Sequence, residues 1–570
     1  MSAQLPLWET LSLPEQVAQM IVVRASGYLF DHQIQYPQWE PTATLLQHWV
    51  SDLGVGGVIL LGGSAAEVGL RSHQLQEWAS IPLLIAADIE EGVGQRFSGA
   101  TWFPPPMALN AIATHDLPKA LQLAEAMGSV TAQEALAIGI NWVLAPVVDV
   151  NNNPHNPVIN VRAFGETPDV VSQLTTAFIR GAQHHAVLTA AKHFPGHGDT
   201  AIDSHLELPV LAHTLERLKI LELVPFQAAI AAGVDAVMTA HLRIPSLDVT
   251  YPATLSQPIL TGLLRQQMRF EGLIVTDALI MGAIANQYGT NEAAVLAVEA
   301  GTDIVLMPAD PEGAIAAICQ AVEMGRIALE QIAASVERIW RAKQTVCPAS
   351  VQGGTSHAWE NVPPPPVQLD HLAQPQACNT VAEILRSSMH VHLPSEPMVT
   401  TQISHDRNVI VVDEAVNCAF LGRQAPAIAL PQKLGYQLQV IDSYTPIMRG
   451  GFPAAINATD VDQPATLLQL FIRGNPFRGS AKLIQLASAI FHELLDSRQL
   501  QALVIYGSPY VLDHFIAKLP VAIPYVFTYG QFADAQAIAL QPLLDRLKPD
   551  LSSSRTDAMH HVSPEQQFTD

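Results

Sequence analysis

Residues 192–205 read KHFPGHGDTAIDSH, from Lys192 to His205, and they follow directly on the apolar run 186–191. An apolar run that ends in titratable side chains and opens into a glycine-rich loop is how the carboxyl edge of a parallel-sheet strand looks in one dimension. Similar runs recur on both sides, at 21–23, 56–61, 83–87, 142–150, 187–191, 236–239, 273–276 and 304–307. Amphipathic stretches such as 119–137, 170–185, 214–232 and 292–300 separate them. This alternation predicts an α/β chain built on a TIM-like (β/α)8 barrel rather than an open doubly wound sheet.

The ends of these runs carry charge. Asp88 closes LLIAAD, Asp149 closes VLAPVVD, His241 closes VMTAH and Asp277 closes LIVTD, while Lys192 and His193 close the run at the centre. Glu90, Glu91 and Arg96 follow the first of these acids, and Arg162 follows the second. One charged residue at a strand end is common, but the same placing on five strands points to a shared pocket on the barrel rim.

From 344 to 376 the pattern lapses into GGTS and then VPPPPVQ. Consecutive prolines continue neither a helix nor a central strand, so a semi-rigid linker is expected there. The chain thus divides into a barrel over 1–343, a Pro-rich linker over 344–376, a smaller α/β sandwich over 377–550 and a tail over 551–570 whose polar, aperiodic composition predicts disorder.

A chain of 570 residues is too long for one ordinary core, in keeping with two domains. Lysine and arginine total 29 against 52 acids, a formal charge of −23. Such a balance excludes the basic footprint that nucleic acids and anionic membranes need. The four cysteines, 319, 347, 378 and 418, show no CxxC spacing, which fits a reducing compartment better than a disulfide framework. The N-terminus MSAQLPLWETLSLPEQ has no basic segment followed by an apolar one, and no apolar run reaches membrane-spanning length. A cytoplasmic protein is expected.

Several chemistries compete for the motif. Asp277 follows a continuous apolar strand, so its carboxylate is expected at the rim with limited water access, although a lone Thr-Asp pair serves equally as a loop acid or a helix cap. Asp203 and His205 are two apart, a spacing that lets the carboxylate orient the imidazole as a general acid/base, or that simply marks a surface turn. His193, His197 and His205 match no common zinc spacing, and Pro195 and Gly196 break the helix that would align the first two. Lys192 as a Schiff-base lysine is disfavoured by its acidic neighbours, and Ser204 lacks a nucleophile elbow. What is left is one carboxylate able to attack and one His–Asp pair able to give and take a proton, which is the requirement of double-displacement glycoside hydrolysis. An imidazole is an uncommon acid for that reaction.

KHFPGHGDTAIDSH, together with MTAHLRIPSLDVTYPATLSQPILTGLLRQQMRFEGLIVTDALIMGAI, resembles glycoside hydrolase family 3, and within it the bacterial β-N-acetylglucosaminidases of peptidoglycan recycling. The resemblance implies a TIM-like barrel followed by an α/β sandwich. It implies Asp277 as the nucleophile, His205 as acid/base with Asp203 as its partner, and Asp88, Arg96, Arg162, Lys192 and His193 as sugar-hydroxyl contacts. Two departures are visible: D-x-E-G-G-R-V-Q-R reads DIEEGVGQR here, and D-R-x-F reads VRAF, with Val161 in place of the acid. The implied protein is a retaining exo-glycosidase that releases terminal β-linked N-acetylglucosamine from a small carbohydrate. No cofactor, metal, nucleic acid or membrane is expected. The alternatives are another family 3 activity, whether β-glucosidase-like hydrolysis or phosphorolysis, and a sugar-binding protein without turnover.

Overall fold

Eight short strands form the first sheet: β1 (Ile21–Ser26), β2 (Gly57–Leu61), β3 (Leu84–Ala87), β4 (Trp142–Val143), β5 (Leu188–Phe194), β6 (Ala236–Thr239), β7 (Leu273–Val275) and β8 (Val305–Leu306). The computed structural model describes residues 5–200, 208–346, 366–395, 406–416, 418–445, 464–474 and 480–547. The strands run parallel in the order β7-β6-β5-β4-β3-β2-β1-β8. Closure comes at the last gap, where Ile304 bridges Val275 and the amides of Asp303 and Ile304 reach the Ile274 carbonyl at 2.8 and 3.1 Å. The result is a parallel barrel. Its strands are apolar on both faces because helices cover the outside, and all seven residues of β5 are buried.

The closing seam is held by charge. Asp303, fully buried, accepts from the Ile274 amide (2.8 Å), Arg265 (2.7 Å), Ser335 (2.8 Å) and Arg338 (2.9 Å). Farther along, Lys343 donates to Gln19 Oε1 at 2.7 Å and Trp340 Nε1 to the Pro6 carbonyl at 2.8 Å, which ties the last barrel helix, Leu329–Val346, to the start of the chain.

Two expected elements differ. The run 142–150 is ladder-paired only at Trp142–Val143. Pro146 has no N–H to give, and the pairing continues as an isolated bridge between Val147 and Lys192. The stretch 214–232 is two helices, Leu215–Ile220 and Leu223–Ala231. The ring of Pro225 conflicts with the carbonyl four residues back, at Leu221, so one continuous helix cannot form and Glu222 falls at the break.

The chain forms two compact units, with Ser388 in the first and Met389 opening the second. The second is a six-stranded sheet of β9 (His390–His392), β10 (Arg407–Val411), β11 (Gln437–Ile441), β12 (Thr466–Ile472), β13 (Leu500–Gly507) and β14 (Tyr525–Thr528), in the order β11-β10-β12-β13-β14-β9. All pairs are parallel except β9 with β14. Its core packs Ile410, Leu467, Phe471, Val504, Val526 and Leu540. Of the expected linker, 344–346 end a barrel helix, 375 opens the helix Pro375–Ser388, and 347–365 lie outside the described residues, as does the tail. Among the described residues no helix is long and apolar enough to cross a membrane.

Candidate active site

Every strand-end residue singled out above lies at the carboxyl edge of the barrel: Asp88 after β3, Asp149 beyond β4, Lys192 and His193 within the last turns of β5, His241 after β6 and Asp277 after β7. On this edge the chain leaves the sheet, and backbone groups no longer needed for the ladder are held by side chains instead.

Lys192 is the centre of the densest group. Its ammonium, almost fully buried, lies 2.7 Å from Asp88 Oδ1 and 2.6 Å from Glu90 Oε1. Arg162 grips Glu90 from the other side with two parallel bonds, Nε to Oε2 at 2.8 Å and a terminal nitrogen to Oε1 at 2.7 Å. Burial alone would push the Glu90 carboxyl up, but the Arg162 and Lys192 charges hold it well below the usual carboxylate range. Burial likewise opposes the Lys192 charge, and Asp88 with Glu90 more than restores it, raising the ammonium above its ordinary value. Arg96 is exposed, with Nε donating to the Asp88 carbonyl at 3.1 Å. The four residues Asp88, Arg96, Arg162 and Lys192 are therefore brought together, and Glu90, which the motif reading passed over, is the link between two of them.

Asp149 organises the second group. Its buried carboxylate accepts from the amides of His193 and His197 (Oδ1 to His197 N at 2.7 Å) and from His193 Nδ1 at 2.8 Å. Because a carboxylate only accepts, His193 donates to it from Nδ1. Burial would raise the Asp149 carboxyl, yet the neighbouring His193 brings it below the ordinary value. His197 is different: burial pulls it down to about 4, so it is neutral near pH 7, with Nδ1 2.8 Å from Thr200 Oγ1. The loop is threaded tightly, since a Cβ on Gly198 would lie 1.7 Å from the Val150 carbonyl oxygen. The Lys192–His193 and Phe194–Pro195 peptide bonds are cis.

Asp277 is half-buried, and its Oδ1 accepts from the Ala278 amide at 2.8 Å. His241 steadies the same turn, with Nε2 3.1 Å from the Ala278 carbonyl and Nδ1 2.8 Å from Thr254 Oγ1. The next two amides, Leu279 and Ile280, bond to the carbonyls of Leu306, the last residue of β8, and Met307, just past it. Asp277 thus sits on the same rim as Lys192, two strands away, on a backbone pinned from both sides. Asp203 and His205 lie outside the described residues.

Comparison with known proteins agrees with this architecture. Residues 12–342 match the Glycosyl hydrolase family 3 N terminal domain, and residues 399–545 the Bacterial Glycosyl hydrolase family 3 C-terminal domain. The chain is 36% identical over 330 residues to Beta-hexosaminidase A of Pseudoalteromonas piscicida, a match that covers 52% of this chain and 54% of that protein. It thus spans about half the length of that relative. It is 34% identical over 313 residues to Beta-hexosaminidase of Thiobacillus denitrificans, covering 54% of this chain and 82% of that one. Among solved structures, a glycoside hydrolase family 3 beta-N-acetylglucosaminidase from Paenibacillus sp. str. FPU-7 superposes with a TM-score of 0.72 at 29% identity, over 94% of this chain and 97% of the other. With the barrel family covering most of the first unit and the companion family most of the second, the chain belongs to glycoside hydrolase family 3.

Proposed function

We propose that the protein is a retaining exo-β-N-acetylglucosaminidase acting on small glycans, with cytoplasmic peptidoglycan fragments as the natural class of substrate. Asp277 attacks the anomeric carbon of a terminal N-acetylglucosamine. The bond to the leaving oxygen breaks as the His205 imidazolium gives that oxygen its proton, and a glycosyl ester on Asp277 forms. The neutral imidazole then takes a proton from water, whose oxygen displaces the carboxylate and restores the enzyme. Asp203 holds the imidazole in the tautomer this requires. Asp88, Arg96, Arg162, Lys192 and His193 bind the sugar hydroxyls, with the Lys192–Asp88 pair offering a donor beside an acceptor.

The observation that carries the reading is the shared rim: Asp277 follows β7 on the same carboxyl edge where Lys192 and Asp88 meet at 2.7 Å. Its test is turnover of an aryl β-N-acetylglucosaminide by Asp277→Asn, with a fall of about a thousandfold or more expected. Undiminished turnover removes Asp277 from the nucleophile role. Running the assay with and without phosphate, and on the matching aryl β-glucoside, separates hydrolysis from phosphorolysis and one sugar from the other. A protein that binds sugar without turnover releases no product in any arm.

A further inference from the structure

Asp199, His213 and Glu222 form a second cluster of titratable side chains, outside the groups described above. One potential ligand atom from each lies within 4.8 Å of the others. His213 Nε2 is 2.9 Å from Asp199 Oδ2, and Glu222 Oε2 accepts from Arg217 at 2.9 Å. The other Glu222 oxygen is buried and has no hydrogen-bond partner among the described residues. A buried carboxylate oxygen without a donor is costly and uncommon.

Each of the three residues stands on a backbone point that is already fixed. Asp199 follows Gly198, which is wedged against the Val150 carbonyl. His213 precedes the cap of the helix Leu215–Ile220, and its own carbonyl accepts from Ser246 Oγ. Glu222 occupies the break that Pro225 imposes between two helices. Asp199 and His213 are partly open to solvent while Glu222 is closed off, which leaves a path for an ion and a position for water.

We propose that Asp199, His213 and Glu222 bind one divalent cation of the zinc type. One imidazole nitrogen and two carboxylates suit Zn2+ better than Mg2+ or Ca2+, which take oxygen ligands almost exclusively. Tetrahedral zinc with bonds of about 2.0–2.1 Å needs ligand atoms roughly 3.3 Å apart, within reach of side-chain rotation from the spacing present. The ion takes the place of the 2.9 Å contact between His213 and Asp199, and it supplies the buried Glu222 oxygen with a partner. Two carboxylates against the ion and the Arg217 cation leave a net charge of +1, and water in the open position completes the shell.

The placing gives the ion a job. Asp199 and His213 bracket residues 200–212, the segment that contains Asp203 and His205. A cation joining them to Glu222 ties the two described flanks of that segment to the break between the helices Leu215–Ile220 and Leu223–Ala231. It acts as a positioning ion and not as a Lewis acid on the sugar. This consequence rests on the acid/base reading of His205, whereas the binding site itself does not.

The experiment is equilibrium dialysis of the chelator-stripped full-length protein against Zn2+, with bound metal counted. One tight equivalent per chain is expected for the wild type and for Asp277→Asn. His213→Ala and Glu222→Gln should each bind that equivalent about tenfold or more weakly. Glu222 is buried and its variant can fail to fold, but His213 is partly exposed and its variant carries the test alone. No tight equivalent in the wild type, or an undiminished one in His213→Ala, overturns the proposal. An Asp277→Asn protein that turns over sugar normally yet keeps its zinc removes the nucleophile assignment and leaves the metal site standing.

Discussion

His193 Nδ1 lies 2.8 Å from Asp149 Oδ2, and the same carboxylate takes the backbone amides of both His193 and His197. One buried acid thus sets the ring of His193 and the path of the loop that follows it. Asp149→Ala is expected to cost about 3–5 kcal/mol, because several buried donors lose their partner at once. Urea unfolding monitored by circular dichroism measures it. Since the folded-state pKa of Asp149 is lowered, its contribution is present above the ordinary carboxylate range and is lost as pH falls through the folded value.

His197 gives a different acid dependence. Its folded pKa of about 4 lies below the ordinary 6.5, so the unfolded chain binds the extra proton across that window. Stability should fall by roughly 3 kcal/mol as pH drops from 6.5 towards 4, and His197→Gln should flatten the slope. Urea midpoints at several pH values for the two proteins decide it, and parallel slopes would count against a buried neutral imidazole.

Glu90 joins Lys192 to Arg162, so Glu90→Gln leaves the partly buried Arg162 facing an amide and Lys192 with Asp88 as its remaining carboxylate. A loss of stability of about 3 kcal/mol is expected, together with a raised KM for the aryl N-acetylglucosaminide. Steady-state kinetics alongside thermal unfolding separates the two effects.

His241 acts through the Ala278 carbonyl on the turn that carries Asp277. His241→Phe should lower kcat by between about tenfold and a hundredfold with KM nearly unchanged, since the proposed nucleophile Asp277 is misplaced while the proposed sugar contacts are kept. A change confined to KM would contradict this positioning role.

In the second unit, the Tyr506 hydroxyl donates to Gln469 Oε1 at 2.8 Å, and Gln469 Nε2 bonds to Asn408 Oδ1 at 2.6 Å and to the Ala427 carbonyl at 2.7 Å. Tyr506→Phe leaves that buried acceptor short of a donor. A destabilisation of about 1–2 kcal/mol should appear in the unfolding of this unit by calorimetry.

The barrel could be read from the sequence because buried parallel strands are apolar on both faces, and runs such as LLIAAD and LIVTD end in an acid at the rim. Glu90 could not be singled out, since DIEEG offers two adjacent glutamates and only the fold turns one of them towards Arg162. Asp149 was visible as a strand-end acid, but its three donors come from residues more than forty positions away, at His193 and His197. The broken helix at Glu222 depended on one proline, Pro225, within an otherwise continuous apolar pattern. Strand β9 escaped notice because His390–His392 is a short, mostly exposed edge whose residues alternate too briefly to register. Asp203 and His205 rest on the motif alone.

The barrel seam also has a consequence for synthesis. β8 pairs with β1 on one side and meets β7 on the other, and the Lys343–Gln19 contact follows it. A nascent chain that has not yet released β8 therefore exposes two raw sheet edges, β1 and β7, each a template for a neighbouring chain. Ribosome-bound intermediates of this protein should need chaperone protection until the stretch carrying Asp303 has emerged, and truncations ending before it should accumulate as insoluble material.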